Sequence, residues 1–279
     1  MCEFCHKHAD GKKWYLEARN YSEELACDIK RQKFLLGLYK KEKKVIPRYY
    51  DIVKNLADKP RIFQSIFKFF FTRELKKKHF GQIVPWEDLE KIFEITNSIY
   101  LLPCLCRRVS IGKDKYYCLG ITVSPERLPF TDELVDGYLS GPDGKGLEKL
   151  DKKSAIKLIK DFEKESLVHS IWTFLTPFIG GVCNCDRSDC LAMQFNVVYE
   201  TNVMFRGEYV ARIDWDKCNG CRNCIQFCQF GALSFSASQK KVYIDILKCF
   251  GCGVCRVGCP QEAISLKDRT GVPRVANLW

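Results

Sequence analysis

Seventeen of the 279 residues are cysteine. Eight of these fall into two copies of one pattern, Cys218-x2-Cys221-x2-Cys224-x3-Cys228 and Cys249-x2-Cys252-x2-Cys255-x3-Cys259-Pro260, set 31 residues apart. Three thiolates in a tight loop can point at three corners of one iron–sulfur cube. The fourth, three residues on, rides a short helix that points away, and so reaches the other cube. The spacing predicts two [4Fe–4S] clusters with crossed fourth ligands. One takes Cys218, Cys221, Cys224 and Cys259; the second takes Cys249, Cys252, Cys255 and Cys228. Gly220, Gly251 and Gly253 lie between ligands and permit loop conformations that are costly for other residues. Zinc also uses Cys-x2-Cys units, but as two spaced pairs around one ion. A doubled triplet-plus-one layout fits that poorly.

With these motifs, and with Gly231-Ala232-Leu233 and Glu262-Ala263-Ile264 leading into short strands, residues 207–279 resemble a bacterial-type dicluster ferredoxin domain. The resemblance implies single-electron transfer at low potential. One departure stands out. Cys228 is followed by Gln229, where the family usually has a proline such as Pro260. Residues 207–279 hold 10 Lys/Arg against 6 Asp/Glu. Two oxidised clusters would bring that to near neutrality, whereas free ferredoxins of this kind are usually acidic. The domain therefore reads as a module wired into a larger electron chain.

Nine cysteines remain. Cys27 stands alone in a helical pattern and reads as a small core residue. The others form Cys2-x2-Cys5-His6, Cys104-x-Cys106 with Cys118, and Cys183-x-Cys185-x4-Cys190. Cys-x-Cys is too tight for an easy disulfide, yet both thiolates can face one multinuclear centre. Two such pairs suggest a single site assembled from distant segments. The preferred ligands are Cys104, Cys106, Cys183 and Cys185, with Cys118 and Cys190 as alternates. A further [4Fe–4S] centre is the leading reading, zinc and free thiols being the others. Cys2 and Cys5 read as a metal-ligand pair. They also match a c-type haem attachment motif, but that chemistry requires export. The middle region, with its Pro-Cys-x-Cys-Arg and Cys-Asn-Cys segments, resembles a group of uncharacterised ferredoxin-containing proteins of anaerobes.

The elements that must carry these residues follow from the apolar pattern. Helical spacing runs over 22–44, again from Asp58 and Pro60 through a stripe of Ile62, Phe63, Ile66, Phe67, Phe70 and Leu75, and from Pro85 to about Tyr100. The aromatic stripe is expected to be core. Residues 101–106 and 115–123 predict a hairpin through Gly112-Lys113-Asp114. Ser140 to Gly144 is a loop, 154–166 a helix, 171–182 an apolar run, and 189–199 a further helix. His169 reads as a satisfied core residue. The expected fold is α+β, with a basic helical part (1–84), a Cys-rich α+β middle domain (85–206) and the ferredoxin-like domain (207–279).

Charge separates these parts. Residues 1–80 hold 20 Lys/Arg against 10 Asp/Glu, and the rest of the chain is nearly balanced. Solvated helix faces are the plain reading; a docking surface for an acidic redox partner is the sharper one. Nucleic acid is not expected, because the aromatics recur at helical spacing. No apolar run reaches the length of a membrane span, and no apolar leader follows Met1, so the expected location is the cytoplasm. Gly141-Pro142-Asp143-Gly144-Lys145-Gly146 has the wrong spacing for a phosphate loop, and no dinucleotide fingerprint is present. The sequence thus predicts an electron-transfer protein or subunit serving a partner redox enzyme. The alternative is an iron–sulfur reductase with a substrate-binding cluster in the middle domain.

Overall fold

The computed structural model describes residues 13–40, 42–56, 58–113, 115–124 and 147–278. Cys2, Cys5, the predicted turn residue Asp114 and the 140–144 loop lie outside them. The scaffold is a seven-stranded mixed sheet: β1 (Gly81–Ile83), β2 (Ser98–Leu102), β3 (Cys118–Thr122), β4 (Glu148–Leu150), β5 (Val168–Thr173), β6 (Ile179–Cys185) and β7 (Met204–Phe205). Their order across the sheet is β4-β2-β3-β6-β5-β1-β7. Only the β1–β7 pairing is parallel. Helix and sheet are thus combined in an α+β arrangement.

Strand alternation sorts the sheet's side chains onto two faces. Leu119, Ile121, Ile171 and Val182 join one core, together with Leu89, Ile92 and Phe93 of helix Trp86–Ile95 and Ile159 and Phe162 of helix Lys152–Lys164. The second helix is capped by Asp151, whose carboxylate accepts the Ser154 amide at 2.8 Å. Trp172, Cys183 and Cys185 belong to a second core with Met193 and Phe195 of helix Leu191–Val197.

The sheet reaches across the expected boundary at 84. β1 lies just before it, between β5 and β7, and Trp14, Tyr15 and Tyr21 are buried in the first core. Each such fully buried side chain contributes on the order of 1.5–3 kcal/mol. Trp14 Nε1 donates to Gln82 Oε1 at 2.5 Å, and the Tyr15 hydroxyl donates to Asp88 at 2.7 Å.

Several local expectations are corrected. The helix from Pro85 stops at Ile95, and Ser98–Leu102 is β2, since Ile99 and Leu101 have to alternate against β3. β2 and β3 pair as a hairpin would, but helix Leu105–Ile111 fills the connection and ends at Gly112 in the left-handed conformation, φ 68°. Cys27 is exposed at the end of helix Glu23–Ala26 and is no core residue. The aromatic stripe is core only in part: Phe67 and Leu75 pack half-buried against the second core, but no residue of helix Arg61–Lys78 is fully buried, and Ile62, Phe63 and Phe69 are 74%, 65% and 62% exposed. Its apolar residues are spread too widely around the helix for one packed face to take them all.

The last 72 described residues form the ferredoxin-like part. β8 (Tyr209–Ile213) pairs antiparallel with β11 (Ile264–Asp268), and β9 (Leu233–Ser236) with β10 (Lys241–Ile244). Helix Asn223–Gln226 lies between β8 and β9, and the 3-10 turn Val254–Arg256 between β10 and β11.

Candidate iron–sulfur sites

The doubled motif builds two near-equivalent pockets. Cys218, Cys221, Cys224 and Cys259 line one, and Cys228, Cys249, Cys252 and Cys255 line the other. The crossing arises because Cys228 and Cys259 each follow a turn of helix that carries them away from their own loops. Both sulfurs accept a backbone amide four residues on, Ala232 N at 3.2 Å and Ala263 N at 3.3 Å. Ala211 N reaches Cys249 Sγ at 3.4 Å. Amides aimed at sulfur stabilise thiolate charge, as a cluster's ligands require. Gly220 and Gly251 sit at φ 73°, and a Cβ on either would meet a carbonyl oxygen at 2.2 or 2.1 Å. Only glycine closes these loops. Without a cluster, burial pushes the Cys224 thiol up to about 11, and Cys259, Cys221 and Cys218 push in the same direction. Bound iron would relieve that cost. The residues fit the group.

A family profile described as a 4Fe-4S dicluster domain matches residues 217–263. An uncharacterized ferredoxin of Methanocaldococcus jannaschii is 33% identical over 57 residues, which cover 20% of this chain and 74% of the relative. Through this domain the chain belongs to the dicluster ferredoxins. The chain is also 42% identical over 55 residues to pyruvate synthase subunit PorD of Methanothermobacter marburgensis, covering 20% of this chain and 62% of that one. It is 37% identical over 60 residues to the archaeal-type glutamate synthase [NADPH] of Thermotoga maritima, covering 22% of this chain and 12% of that enzyme. The chain thus spans about an eighth of the glutamate synthase's length. An iron–sulfur electron-transfer role is common ground.

The middle cysteines converge as well. Register places Cys118 opposite Cys183 on β3 and β6, and Cys185 follows on the same face. Cys104 and Cys190 occupy the positions just before helices Leu105–Ile111 and Leu191–Val197. All six sulfur-bearing residues line one cavity, with Tyr39, His79, Trp172 and Phe174. Cys118 Sγ lies 3.6 Å from Cys183 Sγ and also bonds Cys104, while Cys190 bonds Cys106 and Cys185. Hydrogen bonding from Cys118 pulls the Cys104 thiol below its ordinary value, against burial. Bonds from Cys106 and Cys185, aided by the Met193 amide, pull Cys190 down further. Cys106 and Cys185, as donors to Cys190, are raised.

Two residues here escaped sequence reading. Arg107 is 1% exposed. It donates to Asn184 O at 3.1 Å and to the Asp186 carboxylate, approaches Cys104 Sγ at 3.7 Å and lies over the Tyr117 ring at 4.4 Å. Burial opposes its charge, but Cys104 and Asp186 hold it on. Its place in Pro-Cys-x-Cys-Arg was the available signal. His79, which directly follows helix Arg61–Lys78, donates Nδ1–H to Thr173 O at 2.6 Å between the rings of Trp172 and Phe174. Burial lowers its pKa to about 4, leaving it neutral. His169 is buried with Nδ1 2.6 Å from Asn184 Oδ1.

The ferredoxin domain packs onto this region. Cys252, Cys228, Phe230 and Phe250 share the second core with Cys106, Cys183, Cys185 and Cys190. Arg256 forms a two-pronged pair with Glu87, and Arg269 bonds Glu208 at 2.9 Å. Glu208 in turn accepts from Gln82 at 3.0 Å. Cys221, by contrast, is exposed.

Proposed function

We propose that the chain relays low-potential electrons between an external redox partner and a third iron–sulfur centre held by the middle cysteines. The observation that carries this is the shared apolar core that joins Cys252 and Cys228 to Cys183, Cys185 and Cys190. It supports an order in which the Cys218 site is outermost, the Cys249 site lies inside and the middle site follows. Bound clusters supply single-electron transfer; the chain fixes their sequence and excludes water between them. Six cysteines line the middle site, two more than one zinc ion takes, which favours a cluster over zinc there. Cys2 and Cys5 remain proposed as a metal-ligand pair.

The proposed partner is a cytoplasmic oxidoreductase, in keeping with the pyruvate synthase and glutamate synthase names of the relatives. It would dock on helix Arg61–Lys78, where exposed Ile62, Phe63, Phe69 and Phe70 adjoin Arg73, Lys77 and Lys78. No described helix is long and apolar enough to cross a membrane. The reductase reading is favoured by one feature, the aromatic-walled cavity over the middle cysteines. The test is electron paramagnetic resonance of the anaerobically purified chain during stepwise reduction. A third set of signals, lost in a Cys183→Ser/Cys185→Ser variant that keeps the ferredoxin signals, is the expected result. Two sets only, in both proteins, would refute the relay.

A further inference from the structure

Backbone register alone places one pair of the middle cysteines. Cys118 of β3 and Cys183 of β6 are direct antiparallel partners. Opposed residues put their side chains on the same face of a sheet, with Cα atoms about 4.5–5.5 Å apart. A disulfide needs Cα atoms about 4.4–6.8 Å apart. The backbone therefore already has the spacing of a disulfide. The side chains are in contact too, Cys118 Sγ donating to Cys183 Sγ at 3.6 Å.

Access favours the same pair. Cys104, Cys185 and Cys190 are buried, whereas Cys118 and Cys183 are half-buried and line the cavity walled by His79, Trp172 and Phe174. Cys183 also packs against the core that holds Cys228 and Cys252 of the inner ferredoxin site. The pair thus stands between an opening and a source of electrons.

We propose that Cys118 and Cys183 are a redox-active dithiol that closes to a cross-strand disulfide, through which the chain reduces external disulfide compounds. The thiolate of one cysteine attacks a sulfur of the external compound, whose S–S bond breaks with release of one thiol. The second cysteine attacks the mixed disulfide, forming the Cys118–Cys183 bond and releasing the other thiol. Reopening that bond consumes two electrons and two protons. The electron-transfer role of the ferredoxin domain supplies the electrons, one from each of its two sites, and solvent at the cavity supplies the protons. Two one-electron sites thus match one two-electron bond. Disulfides of reducing compartments are usually transient and catalytic, which is the behaviour described. The inference goes beyond the third-centre reading and does not rest on it, since Cys104, Cys106, Cys185 and Cys190 remain for that centre.

The test uses the full chain, purified anaerobically with its iron and equilibrated with oxidised glutathione. It is then alkylated, digested and analysed by mass spectrometry without reduction. The peptides of Cys118 and Cys183 should be joined, and both should be alkylated instead after reduced dithiothreitol. A link between other middle cysteines in its place, or no link, would overturn the proposal. Dithionite should open the link in the native chain, and several-fold more slowly in Cys218→Ser/Cys249→Ser, where each ferredoxin site lacks a ligand; equal rates would overturn the electron route. Cys118→Ser should form no link yet keep the native iron content. Loss of iron in that variant, with both ferredoxin signals intact as proof of folding, would make Cys118 a cluster ligand and overturn the dithiol. Failure of the third centre shows separately, as two sets of paramagnetic signals in a chain whose Cys118–Cys183 link still forms.

Discussion

Gln229 Oε1 accepts the backbone amide of Arg187 at 3.1 Å. Arg187 lies in the loop between Cys185 and Cys190, and Gln229 directly follows the ligand Cys228. The Gln229 amide nitrogen also donates to Ser166 O at 3.0 Å. A proline here, as at Pro260, could make neither bond. The residue that departs from the ferredoxin pattern thus helps to fasten the ferredoxin domain to the loop between Cys185 and Cys190. Gln229→Ala should lower the unfolding free energy by about 1–3 kcal/mol, because part-buried backbone groups lose their partner. Gln229→Pro should retain both ferredoxin signals while slowing reduction of the proposed middle centre in stopped-flow measurements. Unchanged stability and unchanged rate would show the bridge to be incidental.

Crossed ligation makes a selective prediction. Cys259→Ala should damage the site of Cys218, Cys221 and Cys224, although Cys259 follows the other loop in sequence. The paramagnetic signal of the second cluster should persist. If the variant emptied the site of Cys249, Cys252 and Cys255 instead, the crossing would be wrong.

How much of this was readable in the residues depends on the range of the forces involved. The ferredoxin domain was legible because its ligands are local: spacing within ten residues fixes which sulfurs share a loop. The middle site was legible as an inventory but not as geometry. Cys118 and Cys190 ranked as alternates, yet register sets Cys118 against Cys183, and helix Leu191–Val197 carries Cys190 to Cys106. Those placements come from strand pairing between residues far apart in sequence. The stripe of helix Arg61–Lys78 misled because apolar periodicity shows that a face exists, not whether this chain or another molecule covers it. Burial of Trp14 and Tyr15 against the sheet likewise had no local signal.

Arg107 offers a test of the electrostatics. Its charge is buried between Cys104, Asp186 and Tyr117, so removing it leaves Asp186 and nearby thiolates without a counter-charge. Arg107→Met should cost about 3–5 kcal/mol of stability, as for other broken buried pairs. It should also shift the midpoint potential of the proposed middle centre to more negative values, since each added electron then meets less positive charge. The two ferredoxin centres should move less. An equal shift at all three sites would locate the effect in general misfolding.

His79 makes a pH prediction. Its pKa falls from 6.5 to about 4 on folding because burial penalises the imidazolium. A base whose pKa is depressed in the folded state is protonated first in the unfolded state. Stability is therefore fully present above the unfolded pKa and is lost as pH falls from about 6.5 towards 4. Between pH 7.5 and 5.5 the loss should be on the order of 1 kcal/mol. Anaerobic urea titrations should show it in the native protein and a shallower pH dependence in His79→Phe. Parallel pH dependence in the two proteins would exclude His79 as its source.

The docking proposal separates charge from structure. Lys76 lies over the Phe205 ring at 4.6 Å and so supports the fold, which makes it a poor probe. Lys77 and Lys78 are exposed and each pairs with Glu74 at 3.2 Å, and Arg73 is exposed beside them. Exposed pairs of this kind contribute little to stability, so neutralising these three residues should leave the fold intact. Electron exchange with the proposed redox partner should slow several-fold in R73Q/K77Q/K78Q. The native rate should fall as ionic strength rises, with the variant's falling less, because the screened attraction is the one removed. Phe63→Ser/Phe69→Ser should slow exchange without changing that salt dependence, since it removes apolar area and not charge. Two outcomes would redirect the assignment of this helix: salt-sensitive binding to arbitrary DNA at physiological salt, or tight binding to phosphatidylserine vesicles that the phenylalanine variant abolishes.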